Sequence, residues 1–250
     1  MSSDEEKNSK KRPAEDNTGV KKKKKRKRVH LEDPDLDAEA GVNRAFERMD
    51  SQLLADHLAR KTTRFGTDLS TVELSDLHIS ANAIKGTTSW GKPRTMENLP
   101  EFLESFVNDP KQLSEAPKEN GAPHTIVVTG AGIRAADLVR SLRKFQKKGT
   151  LVAKLFAKHI KLEEAVAFLN KTRTGIAVGT PARLMQLLDN GALSVEHLKR
   201  IIVDASHIDV KKRGVMDSKD TMIPLATWLT RKEFRERYTD PDNPLDLIFY

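Results

Sequence analysis

From residue 124 onward the apolar residues fall into short runs separated by amphipathic stretches, whereas residues 1–37 carry few apolar positions and no periodicity. Thr125–Thr129 (TIVVT), Leu151–Phe156, Ile176–Val178 and Ile201–Val203 read as buried strands, and Leu245–Tyr250 as a last strand-like run. Between them lie helical patterns: Ala135–Phe145 with Leu138 and Leu142 inward, Leu162–Leu169, and a helix from Pro181 with Leu184, Leu187 and Leu188 on one face. Asp217 to about Arg237 holds further helix, with Ile223, Leu225 and Trp228 as its apolar positions. Thr180-Pro181 supplies an N-cap and a proline at the first helical position, and Asn190-Gly191 supplies the stop. Strands alternating with helices predict an α/β fold over 124–250, a single parallel sheet with helices on both faces.

The preceding chain divides into three parts. Residues 38–64 show a helical stripe of Val42, Phe46, Met49 and Leu53, spaced four, three and four apart. A lone helix of that length is marginal in water, so its stripe must dock on the body of the protein or on a partner. Residues 65–123 read as an irregular linker region with short helices, one of them opened by Pro100 in Leu99–Val107. Residues 1–37 lack the apolar content to fold and read as a disordered tail.

Charge changes the picture only in that tail. Residues 1–28 hold twelve Lys/Arg against five acids, so nearly all of the chain's net +8 sits there and the body is close to neutral. The run Lys21, Lys22, Lys23, Lys24, Lys25, Arg26, Lys27, Arg28 reads as a nuclear or nucleolar import signal. It also reads as a nucleic-acid contact working by counterion release. The acidic stretch Glu32–Asp37 follows at once. Arg134, Arg140, Arg143, Lys144, Lys147 and Lys148 lie on or just after one helix and extend a second basic face.

Catalytic motifs are missing or broken. There is no cysteine, hence no thiolate metal site or thiol nucleophile. The seven histidines show no HExxH-type spacing, and there is no GxSxG elbow. The apolar runs are too short for a membrane span. Gly86-Thr87-Thr88-Ser89-Trp90-Gly91-Lys92-Pro93 fits a phosphate-binding loop up to the lysine, then places Pro93 where the Mg²⁺-binding Ser/Thr belongs; no convincing buried strand precedes it.

The segment Ile176–His207 carries a resemblance. Thr180-Pro181-Ala182-Arg183 is similar to the TPGR motif of the DEAD-box RNA helicases, and Asp204-Ala205-Ser206-His207 stands at their Asp-Glu-Ala-Asp. This implies a RecA-like domain with Thr180, Arg183 and Arg134 as candidate RNA contacts. The glutamate that polarises water in that family is Ala205 here, so the phosphoryl-transfer pair is lost. Asp204 is then expected to be structural, accepting hydrogen bonds from backbone amides, and His207 a polar loop residue. Leu247–Tyr250 lies where a helicase would continue into Ser-Ala-Thr and a second lobe, so a single lobe without ATP-driven unwinding is expected.

Together with Asn98–Leu103, Arg134–Leu138, Gly179–Leu184, Val203–His207 and the basic tail, the pattern resembles the Cms family of 90S pre-ribosome (small-subunit processome) proteins. The resemblance implies a non-enzymatic nucleolar scaffold acting in 18S rRNA maturation, with no catalytic, cofactor or metal residues. Its implied partners are pre-rRNA, snoRNA-containing ribonucleoprotein and 90S assembly factors, with neither membrane nor small-molecule substrate. Two other readings stay open from sequence: a nucleotide-binding but non-hydrolysing switch using Lys92 and Asp204, and a plain RNA-binding module.

Overall fold

Five short, largely apolar runs become the strands of one parallel sheet in the computed structural model, which describes residues 33–250. In chain order the elements are β1 (Leu36–Asp37), β2 (Val42–Asn43), α1 (Ser51–Phe65), α2 (Thr71–Asp76), α3 (Leu99–Ser105), β3 (Thr125–Val128), α4 (Gly132–Leu142) and β4 (Leu151–Leu155). They continue as α5 (Leu162–Lys171), β5 (Thr174–Gly179), α6 (Pro181–Asp189), β6 (Arg200–Val203), α7 (Lys219–Leu229), α8 (Lys232–Arg235) and β7 (Asp246–Phe249). The sheet order is β4-β5-β3-β6-β7. The chain leaves β3 to one side for β4 and β5 and returns to the other side for β6, so the topological switch lies beside β3, where open α/β sheets bind ligands. The expected α/β fold is the one observed.

Strand residues alternate between two cores, one on each face. Ile126, Val128, Ala177, Ile201, Val203, Leu247 and Phe249 pack with α1, α5, α6, α7 and Phe234 of α8. Val127, Ile176, Val178, Ile202, Ile248 and Tyr250 pack with α3 and α4. Gly179 at the end of β5 is required by close approach. A Cβ there would lie 2.5 Å from the Leu155 carbonyl oxygen and 2.8 Å from Leu184 Cδ2.

Three sequence expectations are corrected here. The tail expected to be disordered through residue 37 ends earlier, because Leu36–Asp37 pairs antiparallel with Val42–Asn43 around Gly41, whose φ of +66° suits glycine. Asp35 and Asp37 pair with Arg48 and Arg44, which draws this acidic stretch onto the body. The helix expected over 38–64 starts only at Ser51, because Asp50 Oδ1 caps Leu53 N at 2.8 Å. Its buried face is Leu54, Ala55, Leu58 and Thr62, packed against α7, while Leu53 stays exposed. Residues 65–123 do hold short helices, but they belong to the core: Leu99, Phe102, Leu103 and Leu113 fill one face and Ile79 and Ile84 the other. The run Lys21–Arg28, with its import and RNA readings, lies outside the described residues.

Candidate functional site

The carboxyl ends of β3, β6 and β7 converge on Asp204, which β6 delivers at the switch point. Its backbone N–H donates to the Val128 carbonyl at 2.9 Å. Thr129 Oγ1, just past β3, donates to Asp204 Oδ2 at 2.8 Å. Arg134, in the first turn of α4, donates from Nε to Oδ2 at 2.9 Å and from Nη2 to Oδ1 at 3.0 Å. The carboxylate is 2% exposed and the arginine side chain 11%. Burial pushes the Arg134 guanidinium down, but the charge and hydrogen bonds of Asp204 outweigh it and hold the group above its ordinary value. Both carboxylate oxygens are therefore engaged by side chains, not by the backbone amides expected. The fork geometry is the strong bidentate form.

The three residues after Asp204 are tied down by backbone contacts. Ala205 N and Ser206 N both donate to the main-chain oxygen of Tyr250 at 2.7 Å. Asn43 N donates to Ser206 O at 2.7 Å, Val42 bridges His207 antiparallel, and Ile208 N donates to Gly41 O at 2.9 Å. The β1–β2 hairpin thus lies on residues 206–208. Ala205, 1% exposed, can neither take a proton nor orient water. Burial lowers the His207 pKa, which favours the neutral ring. The cavity left beside Thr129, Asp204 and Ser218 measures about 200 Å³, under the roughly 300–1,000 Å³ of ligand pockets.

The loop 86–94 takes the position beside β7. Ile84 makes a parallel bridge to Leu247 and Lys85 N donates to Leu247 O, so one residue pair of extended backbone does precede the loop. The loop does not cradle an anion. Lys92 Nζ is turned outward to Glu101 Oε1 at 2.5 Å. Arg94 is turned inward and fully buried, donating to the Phe249 carbonyl at 2.5 Å and to Thr87 Oγ1 at 2.9 Å. Burial pushes its guanidinium down to about 10. Tyr250 Oη donates to Thr95 O at 2.6 Å, pinning the same loop. Lys92 and Asp204, the pair a nucleotide switch would use, each have another partner. Among the described residues no group of three or more His, Asp or Glu is placed to hold a metal ion.

The candidate RNA contacts are not brought together. Arg134 is spent on Asp204. Arg183 is buried, with Nη1 donating to the Ile160 carbonyl at 3.0 Å and Nε to Gln186 Oε1 at 3.2 Å. Thr180 starts α6 in extended conformation, but its side chain makes no capping bond; its carbonyl accepts from Leu184 N at 3.0 Å. On the second basic face, Arg140 pairs with Asp137 and Lys144 with Glu104, leaving Arg143, Lys147 and Lys148 exposed and, among the described residues, without ion pairs. Sequence reasoning missed Arg94 and Thr129. Thr129 was within reach, as a hydroxyl closing the central strand beside Asp204; nothing in the sequence distinguishes Arg94 from a solvated arginine.

Fold and site define a parallel α/β protein whose switch-point carboxylate is locked by an internal arginine. Over residues 1–250 it matches the family model described as CMS1, U3-containing 90S pre-ribosomal complex subunit, and the chain belongs to that family. Protein CMS1 of Chaetomium thermophilum is 63% identical over 251 residues, covering 100% of both chains. Protein cms1 of Schizosaccharomyces pombe is 34% identical over 187 residues, covering 75% of this chain and 66% of its own. Among solved structures, the yeast DEAD-box splicing factor Prp28 is similar over 58% of this chain and 33% of its own, with a TM-score of 0.40 at 19% identity. The RNA helicase Prp28 from Chaetomium thermophilum bound to ADP is similar over 78% and 42%, with a TM-score of 0.39 at 18% identity.

Proposed function

We propose that this protein is a non-catalytic subunit of the nucleolar 90S pre-ribosome, a scaffold acting in 18S rRNA maturation through protein and RNA contacts. Family membership supports the ribosome-biogenesis role. The observation that carries the non-catalytic reading is the Arg134–Asp204 fork, with Ala205 sealed behind it. A phosphoryl-transfer centre needs a carboxylate free for Mg²⁺ and a group that orients the nucleophile. Here the first is occupied and the second is a methyl group. Nuclear and nucleolar location follows from the same reading, with Lys21–Arg28 as the import signal and the loose contact to RNA phosphates.

The test is Mg-ATP hydrolysis by the purified chain with and without single-stranded RNA. No turnover above the buffer rate is expected in either case. RNA-stimulated turnover abolished by Asp204→Ala would overturn the reading. In cells, a tagged chain should co-sediment with U3-containing particles. Part of that association should survive deletion of residues 1–28, because the folded body contributes its own contacts.

A further inference from the structure

We propose that the open edge of β4 is a docking groove for an extended peptide that alternates apolar and acidic residues. Three independent features meet there. First, β4 is the terminal strand of the sheet: Leu151 and Leu155 bond toward β5, so the alternate backbone groups of Val152 and Lys154 point away from it and have no backbone partner among the described residues. Second, a cavity of about 500 Å³ runs along this edge between α4 on one face and α5 on the other. Its apolar lining is Val139, Leu151, Val152, Ile160, Ala165 and Phe168. Leu151, 44% exposed, is among the few large apolar side chains left to solvent. Third, Arg143 and Lys154 line the groove, Lys147 and Lys148 are exposed on the segment leading into β4, and among the described residues none of the four is in an ion pair. The single acid in the lining, Glu164, accepts from Lys161 N at the start of α5.

Strand addition draws affinity from backbone pairing and selectivity from pockets that take alternate side chains. Every second residue of an added strand would enter the apolar cavity, and the intervening ones would meet the lysines. That is the reason for the alternation of apolar and acidic positions. A second copy of this chain does not fit, because two edges that both carry Lys154 repel. The chain's own acidic stretch is not available either, since Asp35 and Asp37 are paired with Arg48 and Arg44. RNA is disfavoured: Phe168 is the one aromatic side chain in the lining and is half-buried, so bases find no stacking platform.

The experiment uses the purified full chain, so its outcome does not depend on pre-ribosomal association. A random dodecapeptide phage library is panned on the chain and counter-selected on Lys154→Glu and Leu151→Asp variants. Both substitutions are at exposed positions, and circular dichroism verifies that each variant is folded. Enriched peptides should alternate apolar residues with Asp or Glu. The best of them, synthesised, should bind at least about tenfold more weakly to each variant, a loss of about 1.4 kcal/mol. It should also slow amide exchange in residues 151–155, which adsorption by charge alone would not do. Absence of groove-dependent enrichment would overturn the proposal, as would enriched peptides without acids or an affinity unchanged by both variants. A uridine oligonucleotide whose binding falls tenfold in the same variants would assign the groove to RNA instead.

Discussion

Asp204 and Arg134 carry the functional argument at the scale of single residues, and their energetics are lopsided. Removing one partner of a buried ion pair strands the other charge in a medium that solvates it poorly, while replacing both by apolar groups can be nearly neutral. Arg134→Met should therefore lower unfolding free energy by roughly 3–5 kcal/mol at pH 7. The double variant Arg134→Met with Asp204→Leu should recover most of that loss. Urea denaturation of the three proteins measures both. If Arg134→Met were nearly neutral, the carboxylate would be free enough to serve another ligand. Local signals at this scale were legible: Pro181 does open α6, and the helix does end before Gly191. Partners distant in sequence were not. Arg134 and Asp204 lie 70 residues apart and Arg183 meets a carbonyl 23 residues back, so nothing adjacent to either arginine announces that it is buried.

The same contrast between local and distant information operates on elements. The stripe Val42, Phe46, Met49, Leu53 has helical spacing, yet it crosses two separate starts. Asn43 Oδ1 accepts from Ala45 N at the head of a single 3₁₀ turn, and Asp50 then caps a new helix whose phase is its own. Val42 and Phe46 are buried as the stripe implied, but from a strand and a turn, and α1 buries Leu54 and Leu58 instead of Leu53. The periodicity is reset at Asp50, whose side chain caps the new helix. Leu58→Ala should accordingly cost about 2–5 kcal/mol through lost burial and the cavity left behind. Leu53→Ala should stay within about 0.5 kcal/mol, as an exposed site does. Thermal or chemical denaturation separates the two, and equal costs would mean that α1 docks on another face. The central strands β3, β5 and β6, by contrast, were readable because a strand covered on both faces is apolar over most of its length and needs no knowledge of its neighbours.

Across the whole of residues 33–250, the two cores share one sheet, and this dictates how the protein comes apart. Each central strand sends alternate side chains to opposite faces, so neither core can loosen without unpairing strands that the other depends on. The early segment fastens both: Ile84 bridges β7, Val42 bridges His207, and α3 packs Phe102 against Tyr250 with ring centroids 4.6 Å apart. The expectation of a compact unit confined to 124–250 failed for this reason, since short elements far upstream supply packing that the sheet lacks on its own. Two tryptophans report the faces separately. Trp228 is fully buried on one, edge-on to Phe234 at 4.9 Å, and Trp90 lies on the other, edge-on to Phe102 at 5.5 Å. In single-tryptophan variants made with Trp90→Phe or Trp228→Phe, the fluorescence midpoint in urea should coincide with the far-ultraviolet circular dichroism midpoint of the same variant. That is the behaviour of one cooperative unit. A Trp90 transition that precedes loss of helix and sheet would mean that residues 86–114 form a detachable layer, and that the Arg94-pinned loop could open while the sheet stays folded.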